Sequence, residues 1–376
     1  MTPREGGTAG VLAIGPLPPP VHGYSLITAQ IIERLRRVTA VEVLDLSPGT
    51  MARGWRYHVT RVGRALRALS RLVRQRAQGR TLYLAIAGGA GVLYDVGFVL
   101  AARWRGYRIV IHHNAFSYLN RRSWWTAQLV AIAGSDALHL CLCPTMARRL
   151  GEQYPRAERR TVLSNAALVP PASMARRPAA PTGIRLGFLS NLIPEKGLDT
   201  AIAVAATLRT RGAAATLVIA GPVLDRSAGR ILEEAKKRLG PALDYRGAVH
   251  GTAKETFFGD IDVLLFPTRY ANEAQPLVLI EALAHGVPVI ATARGCIGED
   301  IGGAGIAVPL DGDFVEIAAA AISSWLADPS RLALVAAAAR RHAAELHHAS
   351  ASALDCMISM IAGMTTPPGS TDDRNG

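Results

Sequence analysis

The feature that most constrains this chain is an alternation, met twice, of short apolar runs with longer amphipathic stretches. In the first half the apolar runs cover 11–14, 41–44, 81–87 and 108–112; in the second they cover 183–189, 216–220, 262–266, 287–291 and 305–308. Helical periodicity fills 25–37, 61–75, 198–211, 229–239 and 277–284 between them, and 313–344 after them. Runs that are apolar without a polar alternate belong to strands covered on both faces, and strand–helix alternation predicts parallel sheets. The Pro-, Ala- and Arg-rich stretch 170–182 has the composition of an exposed linker. The expected fold is α/β: two doubly wound, Rossmann-like parallel-sheet domains facing a cleft. The predicted boundaries are a first domain at 1–169, a linker at 170–183 and a second domain at 184–345. A helical segment at 346–364 that can return to the first domain and a disordered tail at 365–376 complete the chain. Ligands of open parallel sheets bind beyond the carboxyl ends of the strands, so the residues just after each strand are the candidates for function.

Composition narrows the class. At 376 residues with 49% hydrophobic and 19% charged residues, the chain has material for two cores and is neither disordered nor collagen-like. Four cysteines exclude a disulfide scaffold. No long run is free of charged or strongly polar groups, and the N-terminus lacks the pattern of a signal peptide. A cytoplasmic location follows as the expectation, extending to the inner face of the cell membrane. The net charge of +13 is lopsided: residues 1–180 hold 25 Arg, no Lys and 8 acids, a balance of +17, whereas 181–376 balance to −4. One half is thus expected to meet an anionic partner, whether nucleic acid, membrane surface or phosphorylated substrate.

The densest motif runs from Phe266 to Ile290. A buried strand ends at Phe266, a loop carries Glu273, and a helix begins near Pro276 or Leu277 with Glu281 near its first turn. Amides at such a helix start are donors for an anion or for sugar hydroxyls. Two carboxylates eight residues apart can each accept hydrogen bonds from vicinal hydroxyls. Alternatively, Glu273 is a loop charge and Glu281 a solvated helix residue; the apolar neighbours Leu277, Val278, Ile280, Ala282 and Leu283 leave little polar face for the second. A second motif, Gly187 to Gly197, takes a strand into a loop where Lys196 precedes a Gly and a helix. Lys196 can neutralise a diphosphate there, or be an ordinary exposed helix-start lysine.

With Glu273, seven residues, Glu281, an apolar helix and Gly286-Val-Pro-Val-Ile, the sequence resembles the retaining glycosyltransferases of the GT-B fold, family 4 type. The resemblance is strongest at 262–302 and extends, more loosely, over most of the chain. It implies that Glu273 binds hydroxyls of a donor sugar and Glu281 the ribose of its nucleotide. The amides of Leu277 and Val278 would face sugar and diphosphate, and Lys196 would stabilise the leaving diphosphate. This chain has Gln275-Pro276 where the family usually has Phe-Gly, and Asn191 where it commonly has an Arg; Pro276 removes one backbone donor. The loop 15–25 resembles the family's glycine loop, placing an amide near Gly23 by the diphosphate, although Gly and Ser there are also ordinary capping chemistry. By register His113, with His112 as alternative, matches the histidine beside the donor sugar; a lone His after a strand can equally be structural. Ser164-Asn165-Ala166 resembles a domain-closing element, Val249 to Gly251 sit where the nucleotide base would stack, and Glu299 and Asp300 near the distal sugar edge.

Other chemistries fit less well. Gly88 to Gly91 lacks the third glycine and following acid of a dinucleotide fingerprint. Asp260-Ile-Asp262 and Asp311-Gly-Asp313 match a metal-binding Asp-x-Asp in spelling but not in position relative to a strand, and Cys141 and Cys143 have no partner pair at zinc spacing. Neither a metal nor a cofactor is expected; the co-substrate would be a nucleoside-diphosphate sugar of UDP or GDP type. Arg61, Arg64, Arg67, Arg71 and Arg74 fall on one helical face, opposite Val62, Leu66, Leu69 and Val73. Either the apolar face packs on the sheet and the arginines are solvated, or the helix lies on an anionic membrane or meets the acceptor; both hold if the arginines skim lipid headgroups. The run lacks interleaved aromatics, so nucleic acid is not expected. The resemblance therefore implies a retaining, metal-independent transferase acting on a glycan or lipid-linked acceptor. A nucleotide-sugar epimerase of the same fold and a non-catalytic sugar-nucleotide-binding protein are the alternatives.

Overall fold

A computed structural model describes residues 10–50, 54–172 and 183–363. Most of the expected linker (170–183) and all of the expected tail (365–376) lie outside them. Contacts divide the chain into two units: residues up to Leu163 together with those from Ala351 on, and Ser164–Ser350.

The first unit runs β1 (Val11–Gly15), α1 (Gly23–Arg36), β2 (Val41–Asp45), α2 (Trp55–Arg74), β3 (Thr81–Ile86), α3 (Val92–Arg105), β4 (Arg108–His113), α4 (Ser117–Asn120), α5 (Trp124–Ala133), β5 (Leu138–Cys141), α6 (Pro144–Gln153) and β6 (Arg159–Val162). Its strands are parallel in the order β2-β1-β3-β4-β5-β6. The start of α1 shows why the chain turns where it does. His22 Nδ1 accepts from the Ser25 amide at 3.2 Å while the Ser25 hydroxyl accepts from the His22 amide at 3.1 Å, a reciprocal cap.

The second unit runs β7 (Ile184–Leu189), α7 (Leu198–Thr210), β8 (Ala215–Ala220), α8 (Arg226–Leu239), β9 (Leu243–Tyr245), α9 (Thr252–Asp260), β10 (Val263–Phe266), α10 (Leu277–Ala284), β11 (Val289–Thr292), α11 (Ile297–Ile301), β12 (Gly305–Val308), α12 (Phe314–Ala327) and α13 (Pro329–Ala362), the last turns of which belong to the first unit. The order is β12-β11-β10-β7-β8-β9, again parallel. Alternate residues of β10 serve opposite cores: Val263 and Leu265 pack with Phe188 and Leu217, Leu264 and Phe266 with Phe257 and Leu279. Both sheets are doubly wound, as the uninterrupted apolar runs require.

Three strands were not legible in the sequence. The edge strands β6 and β9 are short and half polar, and β5 carries His139 in its middle. The helical stretch 313–344 is two helices rather than one. Pro329, which has no amide to give to the turn before it, opens α13, and the Asp328 carboxylate accepts from the Ser330 amide at 3.1 Å.

Candidate active site

In the second unit the strand order reverses between β7 and β10, the position at which doubly wound sheets form a ligand crevice. The loops leaving these two strands carry Lys196 and Glu273, and the structure brings them together: Lys196 Nζ is 2.6 Å from Glu273 Oε2. The same carboxylate oxygen accepts from the Thr268 hydroxyl at 3.0 Å. The ammonium also lies over two aromatic rings, 4.8 Å from the Tyr270 centroid and 5.6 Å from that of Phe266. Gly197 makes the placement possible. Its φ is +81°, and a Cβ there would sit 2.1 Å from the Pro267 carbonyl oxygen, so the two loops approach backbone to backbone. Arg269 locks them, its amide donating to the Glu195 carbonyl at 2.7 Å and its guanidinium to Asp199 and the Pro194 carbonyl. Asn191 opens the β7 loop, partly buried, and among the described residues its side chain has no hydrogen-bond partner.

Gln275, expected to contact the donor, has its side chain turned inward in this structure. It is buried, its Oε1 accepting from the Asn165 amide at 2.6 Å and its Nε2 donating to Asp300 Oδ1 at 2.7 Å and Ser164 Oγ at 3.0 Å. The Gln275 carbonyl accepts from Asn165 Nδ2 at 2.9 Å. Asp300, expected near the sugar, is instead the buried end of this network; burial pushes its carboxyl up to about 7, against the opposing hydrogen bond from Gln275. The network ties Ser164 and Asn165 to the loop that precedes α10.

Pro276 caps α10 without a side-chain hydrogen bond, so the amides of Leu277 and Val278 meet no capping group at the helix start. Glu281 is the fifth residue of α10, in the second turn rather than near the first. Its carboxylate is held by Lys254 on α9, with Nζ 2.6 Å from Oε1 and 2.5 Å from Oε2. Val249 is buried just before the cap residue Gly251 that starts α9. Sequence reasoning missed Lys254. The available signal was rarity: the chain has 4 lysines, and two of them neutralise the two motif glutamates.

In the first unit, Gly23 is the first residue of α1, with open space where a Cβ would stand. The histidines do not reach an open surface. β4 runs one residue further than the apolar pattern suggested and is covered on both faces, so His112 and His113 are both interior. His113 Nδ1 lies 2.8 Å from the Tyr118 hydroxyl and its Nε2 3.0 Å from His139 Nδ1; His112 Nδ1 lies 2.7 Å from the Tyr83 hydroxyl. Burial pushes His113 well down and His112 to about 4. His113 is therefore a neutral residue enclosed in this structure rather than the open strand-end side chain that the resemblance implied.

The arginine helix is also placed differently. α2 buries Ala65, Ala68 and Leu72, while Val62, Leu66 and Val73 face solvent and Leu69 is half exposed. Arg64 pairs with Asp45, Arg71 with Glu42 at 2.7 Å, and Arg61 sits over the Tyr94 ring. The inward face is thus Ala65, Ala68 and Leu72 rather than the Val and Leu stripe, and the acids of β2 pair with part of the arginine face. Among the described residues no three His, Cys, Asp or Glu side chains form a metal-ligand set, and no helix is long and apolar enough to cross a membrane. Asp262 is committed to Arg185, with Oδ1 3.0 Å from Nη2, and Asp313 caps α12.

The segment holding Lys196, Glu273, Lys254 and Glu281 matches the family model "Glycosyl transferases group 1" over residues 183–328. Over this segment the chain is similar to the group 1 glycosyl transferases. The chain is 31% identical over 161 residues to a GDP-mannose-dependent alpha-(1-6)-phosphatidylinositol monomannoside mannosyltransferase of Mycobacterium tuberculosis, a match spanning 40% of each chain. It is 30% identical over 165 residues to a D-inositol 3-phosphate glycosyltransferase of Rhodococcus opacus, spanning 42% of this chain and 36% of the relative. The match thus spans well under half the length of these curated relatives. Over 94% of the chain the fold is that of Anabaena HepE in complex with UDP-glucose, covered completely with a TM-score of 0.69 at 16% identity. The segment that matches the family model accordingly lies in the second of two Rossmann-like units, in a chain whose fold is of GT-B type.

Proposed function

We propose that the protein is a retaining, metal-independent glycosyltransferase that moves a sugar from a UDP- or GDP-type nucleoside-diphosphate sugar to a hydroxyl of a glycan or lipid-linked acceptor. Its setting would be cytoplasmic synthesis of cell-envelope or exopolysaccharide glycans. The observation that carries this is the Lys196–Glu273 pair at the switch point of the second unit, beside the uncapped start of α10. A diphosphate arriving there offers Lys196 a more highly charged partner than one carboxylate, with the Leu277 and Val278 amides as further donors. Glu273, still held by Thr268, is then free to accept hydroxyls of the sugar. Glu281, oriented by Lys254, is suited to the ribose.

In the transfer, the bond from the anomeric carbon to the phosphate oxygen breaks. The acceptor oxygen bonds to that carbon on the same face, and its proton passes to the departing phosphate. Fixed amide dipoles and Lys196 stabilise the charge that develops on the leaving group, without a covalent enzyme intermediate. Two relatives support the donor class by name, one being GDP-mannose-dependent and a structural neighbour holding UDP-glucose. The test is a thermal-shift panel of UDP- and GDP-sugars followed by turnover assays with and without acceptor, in EDTA. The expectation is donor-specific stabilisation, acceptor-dependent nucleotide release unaffected by chelator, and a product whose anomeric configuration by NMR equals that of the donor. Sugar isomerisation without acceptor would make it an epimerase; stabilisation without turnover would make it a binding protein.

A further inference from the structure

The first unit carries an apolar face that none of the described residues covers. On α2, Trp55, Val59, Val62, Leu66 and Val73 are exposed and follow one another at helical spacing along a single stripe; Trp55 is 74% and Leu66 61% exposed. α3 packs beside α2 and presents Leu93, Leu100 and Trp104, again on one stripe, with Trp104 69% exposed. α5 packs beside α3 and adds Trp124 and Trp125, 60% and 44% exposed. The three helices connect strands that advance in the same direction across the sheet, so right-handed crossovers place them on the same side.

Two properties select the occupant. Four of the five tryptophans of the chain lie on this face, and an indole with an apolar body and a polar edge is suited to the boundary between lipid and water. The charge is of one sign. Across the three helices the only acid is Asp95, which is buried, whereas Arg56, Arg67 and Arg74 border the α2 stripe, exposed and without an acidic partner among the described residues. Arg103 is offset by Asp136 at 2.8 Å, but Arg121 and Arg122, just before α5, add further positive charge. Leu93 and Trp125 also line a cavity of about 470 Å³ together with Arg121, Arg122, Tyr118 and Gly88. The apolar face therefore runs to a basic hollow.

We propose that the outer face of α2, α3 and α5 docks on an anionic phospholipid bilayer, the tryptophans and Leu66 entering the headgroup boundary and the flanking arginines meeting lipid phosphates. The orientation is the reverse of an arginine face skimming lipid, because the stripe that enters is the apolar one. The inference does not depend on sugar transfer, since donor binding belongs to the second unit and can be measured without lipid.

The test uses the full chain with phosphatidylcholine vesicles, with and without phosphatidylglycerol, read by flotation and by quenching of tryptophan fluorescence with brominated phospholipid. The expected result is flotation that requires the anionic lipid, falls with added salt and is accompanied by quenching of most of the fluorescence. Trp55→Ser with Leu66→Ser, and separately Trp104→Ser, should each lower partitioning while leaving the thermal midpoint in place, because these side chains are exposed. Arg67→Gln and Arg74→Gln should each cost about fivefold in partitioning. Absence of flotation, bound protein with unquenched tryptophan, or undiminished partitioning in both serine variants would overturn the proposal. So would a concentration-dependent dimer that shields the tryptophans without lipid. Retained donor affinity in a non-floating variant separates this failure from failure of the transferase reading.

Discussion

Gln275→Ala separates a structural role from a ligand-binding one at a position where sequence and structure disagree. The substitution removes three hydrogen bonds, to the Asn165 amide, the Ser164 hydroxyl and the Asp300 carboxyl, and leaves the first and last of these groups buried without that partner. At about 1 kcal/mol net per bond, with a further penalty for the two stranded groups, the loss is roughly 3–5 kcal/mol. For a unit of this size that lowers the melting midpoint by roughly 10 °C. The assay is thermal denaturation by circular dichroism, paired with donor titration well below the lower midpoint. Donor affinity per folded molecule should stay within about twofold of the parent, since an unchanged contact set implies a coupling near zero. Gln275→Glu should be worse than alanine at alkaline pH, because it sets a second carboxylate against one that burial already holds up to about 7. A midpoint shift of only a degree or two combined with a large loss of donor affinity would refute the argument. Gln275 would then be touching ligand, with its network replaceable by water.

Other consequences follow from the same geometry. Glu281→Ala should weaken binding of the recognised nucleotide sugar at least about tenfold by calorimetry, the cost of one or two charge-assisted hydrogen bonds to ribose; unchanged affinity would remove Glu281 from the donor site. Gly197→Ala, at φ +81° and with its Cβ 2.1 Å from the Pro267 oxygen, should cost at least about 2 kcal/mol by denaturant titration and displace Lys196. Asp300 has a folded pKa raised above its unfolded value of 3.8, so the cost of burying it is absent in acid, grows as pH rises through about 4 to 7, and is full above that. Asp300→Asn should accordingly stabilise the protein by up to roughly 4 kcal/mol at pH 8 and by little near pH 4, read from urea midpoints across pH; a uniform gain would show that the effect is not ionisation.

The layer structure was legible because burial on both faces of a parallel strand writes itself as an uninterrupted apolar run, and all nine runs read that way contain strands. What escaped was set by partners distant in sequence. β6 and β9 are edge strands whose pairing is decided by a neighbour rather than by their own composition. At the site, Glu273 and Lys196 were visible as loop residues after apolar strands, but that they face each other depends on the reversal of strand order between β7 and β10. His113 misled because position at a strand end does not say how far the covering layers extend; Tyr118 and His139, which enclose it, come from other elements. Gln275 misled in the same way, since its ties to Ser164 and Asn165 span more than a hundred residues.

The charge imbalance ends with a different meaning from the one composition suggests. A balance of +17 over residues 1–180 looks like a field aimed wholly at an outside anion. In the fold, part of it is internal: Arg64 and Arg71 answer Asp45 and Glu42 of β2, Arg80 also answers Glu42 at 3.0 Å, and Arg103 answers Asp136. Once those pairs are set aside, the unanswered arginines of α2 border the exposed apolar stripe, so charge and hydrophobicity point outward together. Net charge alone would bring such a protein to any polyanion; an apolar stripe between arginines distinguishes a bilayer, which offers hydrocarbon beneath its phosphates, from a nucleic acid, which offers none. Retention of the protein by DNA that vanishes at physiological salt, beside vesicle binding that partly survives it, is the pattern this distinction requires. Equal salt sensitivity in both would reduce the face to its charge.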